Sequence, residues 1–96
     1  MARIRREGRM KLLRAHVRGT RFGPGHDQID VEFVAEISAE PHRFGATLRN
    51  DARRPSHEAM FQLLRDGLVH NLSTTVEYDI DDGKNNGLLV RVELRP

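Results

Sequence analysis

Two hydrophobic periods alternate along the chain, and the switches between them outline a fold. From Leu12 to Arg18 the period is two: Leu13, Ala15 and Val17 share one side, and Arg14, His16 and Arg18 the other. Successive side chains of a strand point to opposite faces, so this segment predicts a half-buried strand. Residues 19–28, with three glycines and a proline, predict a loop. The clearest alternation follows, with Ile29, Val31, Phe33, Ala35 and Ile37 set against Asp30, Glu32, Val34 and Glu36. It predicts a long strand with one wet face. After a turn at Ser38–Pro41, the residues Phe44, Ala46 and Leu48 alternate with Arg43, Gly45, Thr47 and Arg49 in a third, shorter strand.

The period then becomes helical. Met60, Phe61, Leu63, Leu64, Gly67 and Leu68 form a stripe, with Gln62, Arg65 and Asp66 outside it. Ser56 is the expected N-cap, its hydroxyl accepting a free first-turn amide. Glu58 suits the positive end of the helix dipole. The end is expected near His70-Asn71, because asparagine tolerates the left-handed geometry of a C-terminal cap. Gly67 inside the helix costs about 1 kcal/mol relative to alanine, a cost that close packing on a sheet would explain. Alternation returns at Thr74, Val76, Tyr78 and Ile80 and again at Leu88, Val90, Val92 and Leu94. Between them Asp82-Gly83 and Asn86-Gly87 are turn signals, so these two strands are expected to pair as a hairpin.

The predicted order is β-β-β-α-β-β, an α+β chain. It matches the element order of the OB-fold, a five-stranded, partly open barrel with one helix. An open antiparallel sheet with the helix across one face is the alternative. The segment Ala59–Asn71, the strand Thr75-Val-Glu-Tyr-Asp79 and the closing Leu88–Leu94 resemble the C-terminal half of small bacterial OB-fold proteins. The shape is also similar to that of bacterial pentameric toxin B-subunits. The resemblance implies a fold and nothing catalytic. This chain has no cysteine and no secretory leader pattern, so the toxins' secretion and glycan binding are not carried over.

Charge changes the picture mainly at one end. The chain of 96 residues is long enough for one domain. Its isoelectric point of 9.7 invites a nucleic-acid reading. Four arginines and one acid among residues 1–9 give +3, which leaves residues 10–96 at −1 within the total of +2. Residues 1–10 therefore read as a disordered basic leader, with Met10 as an alternative start, and residues 11–96 as the domain. Without an apolar leader or a membrane-length apolar run, the expected compartment is the cytoplasm.

Candidate chemistry is sparse. Absence of cysteine excludes disulfides, thiolate metal ligands and thiol nucleophiles. His16, His26, His42, His57 and His70 lack the tight spacing of a metal site. The run Asp79–Val90 puts Gly83, Lys84 and Val90 where a calcium loop needs an oxygen ligand, glycine and glutamate. Ser38, Ser56 and Ser73 lie in no nucleophile motif. Glu32 and Glu36 share a strand face about 13 Å apart, too far for either glycosidase geometry. The expectation is a non-enzymatic binding domain without cofactor or metal. Leu12, Val34 and Leu89, on otherwise polar strand phases, are the candidate interaction patch for a protein partner or a second copy. The alternative is single-stranded nucleic-acid binding by Arg14, Arg18, Arg43 and Arg49. Against it stand the acids Asp30, Glu32 and Glu36, placed to pair with those arginines across strands.

Overall fold

A computed structural model describes residues 1–17, 31–38, 40–49 and 51–96. Six strands and one helix follow in the order β1 (Ala2–Gly8), β2 (Met10–Val17), β3 (Val31–Ile37), β4 (Arg43–Leu48), α1 (Arg54–His70), β5 (Ser73–Ile80) and β6 (Asn86–Arg95). They build one mixed sheet ordered β1-β5-β6-β4-β3-β2. Neighbours are antiparallel except β4 and β6, which pair in parallel over Arg43–Gly45 and Asn86–Leu88. The expected hairpin is β5–β6.

The fold is α+β, but the sheet has six strands and is not closed, where five strands in a partly open barrel were expected. The added strand is β1, in the segment expected to be a disordered leader. It pairs with β5 along its whole length, from Ala2 opposite Ile80 to Gly8 opposite Thr74. Arg3 grips Asp79 through two hydrogen bonds of 2.8 and 3.1 Å, and Ser73 donates to Glu7. Main-chain pairing and ion pairs form this strand rather than an apolar face, since Ile4 is its one half-buried apolar residue. That is why periodicity could not announce it. Arg3 in turn holds the Asp79 carboxyl below the usual carboxylate range.

The strands at the two ends of the sheet, β1 and β2, are separated in the chain by Arg9 alone. At this corner Ser38 N–H donates to the Arg9 carbonyl at 2.9 Å, and Arg9 N–H to the Ser38 hydroxyl at 3.0 Å. The two sheet ends are therefore tied covalently without a ladder between them.

The core is the inward phase of the strands, closed by α1. Phe33, Ala35 and Ile37 from β3, Phe44 and Ala46 from β4, and Val76, Tyr78 and Ile80 from β5 are buried around Leu64 of the helix. Phe61 packs edge-on to Phe33. Gly67 explains itself here: a Cβ would lie 2.7 Å from the Thr74 hydroxyl and 3.1 Å from a Leu94 methyl. Asn71 caps the helix in the left-handed region at φ 52°, as expected. The start differs. Arg53 occupies the N-cap position, Pro55 sits in the first turn, and the Ser56 hydroxyl donates to the Arg53 carbonyl instead of accepting an amide. Proline is preset for that turn and needs no amide there, so the helix begins earlier than a serine cap would place it.

Candidate association face

The outward phases of β2, β3, β4 and β6 meet in rows set by the strand register. One row runs Arg14, Val34, Gly45, Leu88. On one side of it Leu12 pairs with Glu36, and Arg43 with Asn86. On the other, His16 and Thr47 flank Glu32. The middle row sinks at Gly45, which has no side chain, and a groove of about 480 Å³ opens over Val34, Gly45, Thr47 and Leu88, with Arg14, Arg43 and Glu32 around it.

Gly45 is there because β3 and β4 approach too closely for anything else. A Cβ would fall 1.8 Å from the Phe33 carbonyl oxygen and 2.8 Å from its carbon. The same close approach leaves bare backbone at the floor of the groove.

Four of the sequence candidates share this face: Leu12, Val34, Arg14 and Arg43. Arg49 is exposed, one residue beyond β4, and does not line the groove. Arg18 lies outside the described residues. Leu89 must be corrected. It is 1% exposed and part of the core, whereas Leu88 is 48% exposed on this outward face. The register explains the exchange. Glu77 pairs with Arg91 but Tyr78 pairs with Leu89, so Val90 is an extra residue in β6. One such bulge reverses the inside and outside phases along a strand.

The face is electrostatically self-compensated. Arg43 Nε lies 2.7 Å from Glu36 Oε1, Lys11 Nζ 3.8 Å from Glu36 Oε2, and His16 Nε2 3.3 Å from Glu32 Oε1. Of the cross-strand pairs expected between arginines and the strand acids, Arg43 with Glu36 is formed, and Lys11 and His16 stand beside these acids in addition. Phe33, Phe44 and Tyr78 are buried and present no ring to a base. Among the described residues no group of three or more His, Asp or Glu side chains is placed to hold a metal ion. No helix among them is long and apolar enough to cross a membrane.

Behind the face sits a polar network that the periodicity did not reveal. Glu40, whose side chain is only 2% exposed, lies 2.7 Å from Arg6 Nε of β1. Its other oxygen accepts the His42 N–H at 3.2 Å, and His42 Nδ1 stands 2.9 Å from the Tyr78 hydroxyl. Tyr78 is fully buried and stacks on Phe44. The network joins β1, the β3–β4 connection and β5 beneath the groove. Glu40 and His42 flank Pro41 in the connection from β3 to β4, where no hydrophobic period exists to mark them.

Burial pushes the Tyr78 phenol up to about 12, with the charge of Glu40 adding and Arg6 opposing. The phenol therefore keeps its proton across the neutral range and is not suited to proton transfer there. Tyr78 is the only tyrosine, so an absorbance titration reads it without overlap. Phenolate absorbance in the folded protein is expected to rise around pH 12 instead of near the ordinary value of 10. Because the folded value is the raised one, this group's contribution to stability is complete below pH 10 and is lost as pH climbs toward 12. A midpoint near 10 in protein that circular dichroism shows to be folded would contradict the buried placement.

No protein-family model, no curated protein and no solved structure matches this chain.

Proposed function

We propose that this chain is a small, non-catalytic binding module that associates with a second copy of itself through the outward face of β2, β3, β4 and β6. The observation that carries the reading is the row Val34–Gly45–Leu88, an apolar trough bordered by charge of both signs. An apolar centre within a polar rim is the usual anatomy of a protein interface. The charge pattern also suits a two-fold axis. Glu32 and Glu36 lie along β3, while Lys11, Arg14 and Arg43 lie on the strands to either side. Arg43 and Lys11 already hold Glu36, so the paired rim charges do not oppose a second copy, and an isologous contact sets trough against trough.

The frame itself supports an OB-like reading. Taking Ala2–Val17 as one strand bent at Arg9 gives five strands with the helix between the third and fourth. The first strand then borders both ends of the sheet. In OB-folds the face of the second and third strands is a common binding surface, and here those strands are β3 and β4. Single-stranded nucleic acid is the second reading. Arg14 and Arg43 on that same face favour it, and the absence of an exposed ring among the groove residues weighs against it.

Sedimentation velocity at rising protein concentration, in low and high salt, separates the two. A self-associated species that persists in high salt is expected, and Leu88→Glu is expected to shift it to monomer. Leu88 is half exposed, so the variant keeps its fold. A monomer at every concentration would refute self-association. Binding of a labelled single-stranded oligonucleotide that falls steeply with salt would install the nucleic-acid reading in its place.

A further inference from the structure

A second cleft, of about 580 Å³, opens between β6 and the N-terminal half of α1. One wall is the unbroken run Leu88–Val92. Alternate side chains of a strand leave from opposite faces, so consecutive residues line one cavity where it meets the strand's edge or where, as at Val90, a bulge reverses the phase. The ladders agree. Among the described residues, β4 pairs with β6 only at Asn86–Leu88, and from Leu89 onward β6 has a strand neighbour on the β5 side alone. The opposite wall is Arg53, Ser56, His57 and Met60. Their spacing of three, four and seven is one face of a helix. His57 Nδ1, 3.0 Å from the Thr47 carbonyl, ties α1 to β4.

The cleft is therefore a stretch of β6 without a strand neighbour on this side, with half-buried apolar residues at Met60 and Val90. Its volume lies within the range of roughly 300–1,000 Å³ in which binding sites fall. Its charge has one sign. Arg53 and Arg91 line it and no acid does. Arg91 already holds Glu77 and Glu93, but among the described residues the Arg53 guanidinium has no carboxylate partner.

We infer that this cleft takes an extended, acidic segment of a partner protein, added as a further strand along β6 from Leu89 onward. Main-chain hydrogen bonds to the open edge supply affinity, and side chains at alternate positions supply selectivity. An apolar residue faces Met60 and Val90, and an acidic one reaches Arg53. The inference does not depend on self-association, since the two sites share only Leu88.

The probe is a labelled, end-capped peptide of alternating valine and glutamate, compared with its valine–lysine counterpart. Binding is read by anisotropy and located by amide chemical shifts. The glutamate peptide is expected to bind at least about tenfold more tightly, as complementary charge selects between partners. Shifts are expected at Leu88–Val92 and along the first two turns of α1. Arg53→Glu is expected to cost about tenfold, whereas Arg65→Glu, an equal charge change elsewhere on the exposed helix surface, is expected to cost little. Equal binding of the two peptides, equal losses in the two variants, shifts confined to the association face, or no binding of the glutamate peptide would each overturn the inference. Shifts at Leu89–Val92 in a variant carrying Val34→Glu, a residue that lines only the first groove, would separate this site from the first.

Discussion

Replacing Gly45 by alanine is expected to destabilise the fold by about 3 kcal/mol or more, although the residue is only half buried and a single methyl is added. The methyl would not enter solvent. It would land 1.8 Å from the Phe33 carbonyl oxygen, with the Phe33 carbon at 2.8 Å and Val34 Cα at 3.1 Å. These are main-chain atoms and cannot rotate away. The pairing of Val34 with Gly45 must open, and with it the junction between β3 and β4. For a domain of this size each kcal/mol lowers the melting midpoint by about 4–8 °C, so the loss is readily measured by thermal denaturation. Thr47→Ala, on the same face and strand, provides the comparison and is expected to stay within about 0.5 kcal/mol. A Gly45→Ala protein as stable as wild type would mean that β3 and β4 do not approach as closely as described.

Tyr78→Ala is expected to have a comparable effect, about 3–5 kcal/mol, the usual cost of deleting a buried aromatic ring. The ring has no exposed surface and stacks on Phe44 at 5.5 Å between centroids. Its removal leaves a cavity under the groove and takes the hydroxyl from His42. Tyr78→Phe separates the two contributions. It keeps the stacking and loses the hydroxyl, for which about 1 kcal/mol is expected. Urea unfolding of the three proteins measures both differences. A small effect of Tyr78→Ala together with an equal effect of Tyr78→Phe would place the stabilisation in the polar network and not in the packing. Total stability for such a domain is about 5–15 kcal/mol, so the alanine variant stands near the edge of folding.

How much of this was legible in the sequence depended on whether a residue's place follows from local periodicity. Of the inward phase expected for β3, Phe33, Ala35 and Ile37 are buried, Val31 at the strand's start is exposed, and Ile29 lies outside the described residues. Of the helix stripe, Leu64 and Gly67 are buried and Met60 and Phe61 partly so, while Leu63 and Leu68 are exposed; the Asn71 cap was readable from its residue type. β1 was not, because pairing with β5 and ion pairs to Asp79 and Glu40 hold it, and these partners lie far away in the chain. Leu89 was misplaced because the bulge at Val90 reverses the phase of β6, and a bulge leaves no mark in a run of apolar residues. The parallel pairing of β4 with β6 was equally hidden. That pairing brings Leu88 beside Gly45 and completes the trough. The candidates Leu12, Val34, Arg14 and Arg43 could be named from polarity, but their common face became visible only with the register. Gly45 was read as an outward position in a strand; nothing local indicated that the Phe33 carbonyl would occupy the space beside it.

We propose the trough across Val34, Gly45 and Leu88 as an association surface. Amide chemical shifts recorded over a range of protein concentrations, in high salt, test it most directly. The expected result is a concentration-dependent set of shifts centred on Arg14, Val34, Gly45 and Leu88, absent from Leu88→Glu. Shifts that do not change with concentration, or that gather on a different part of the molecule, would contradict it.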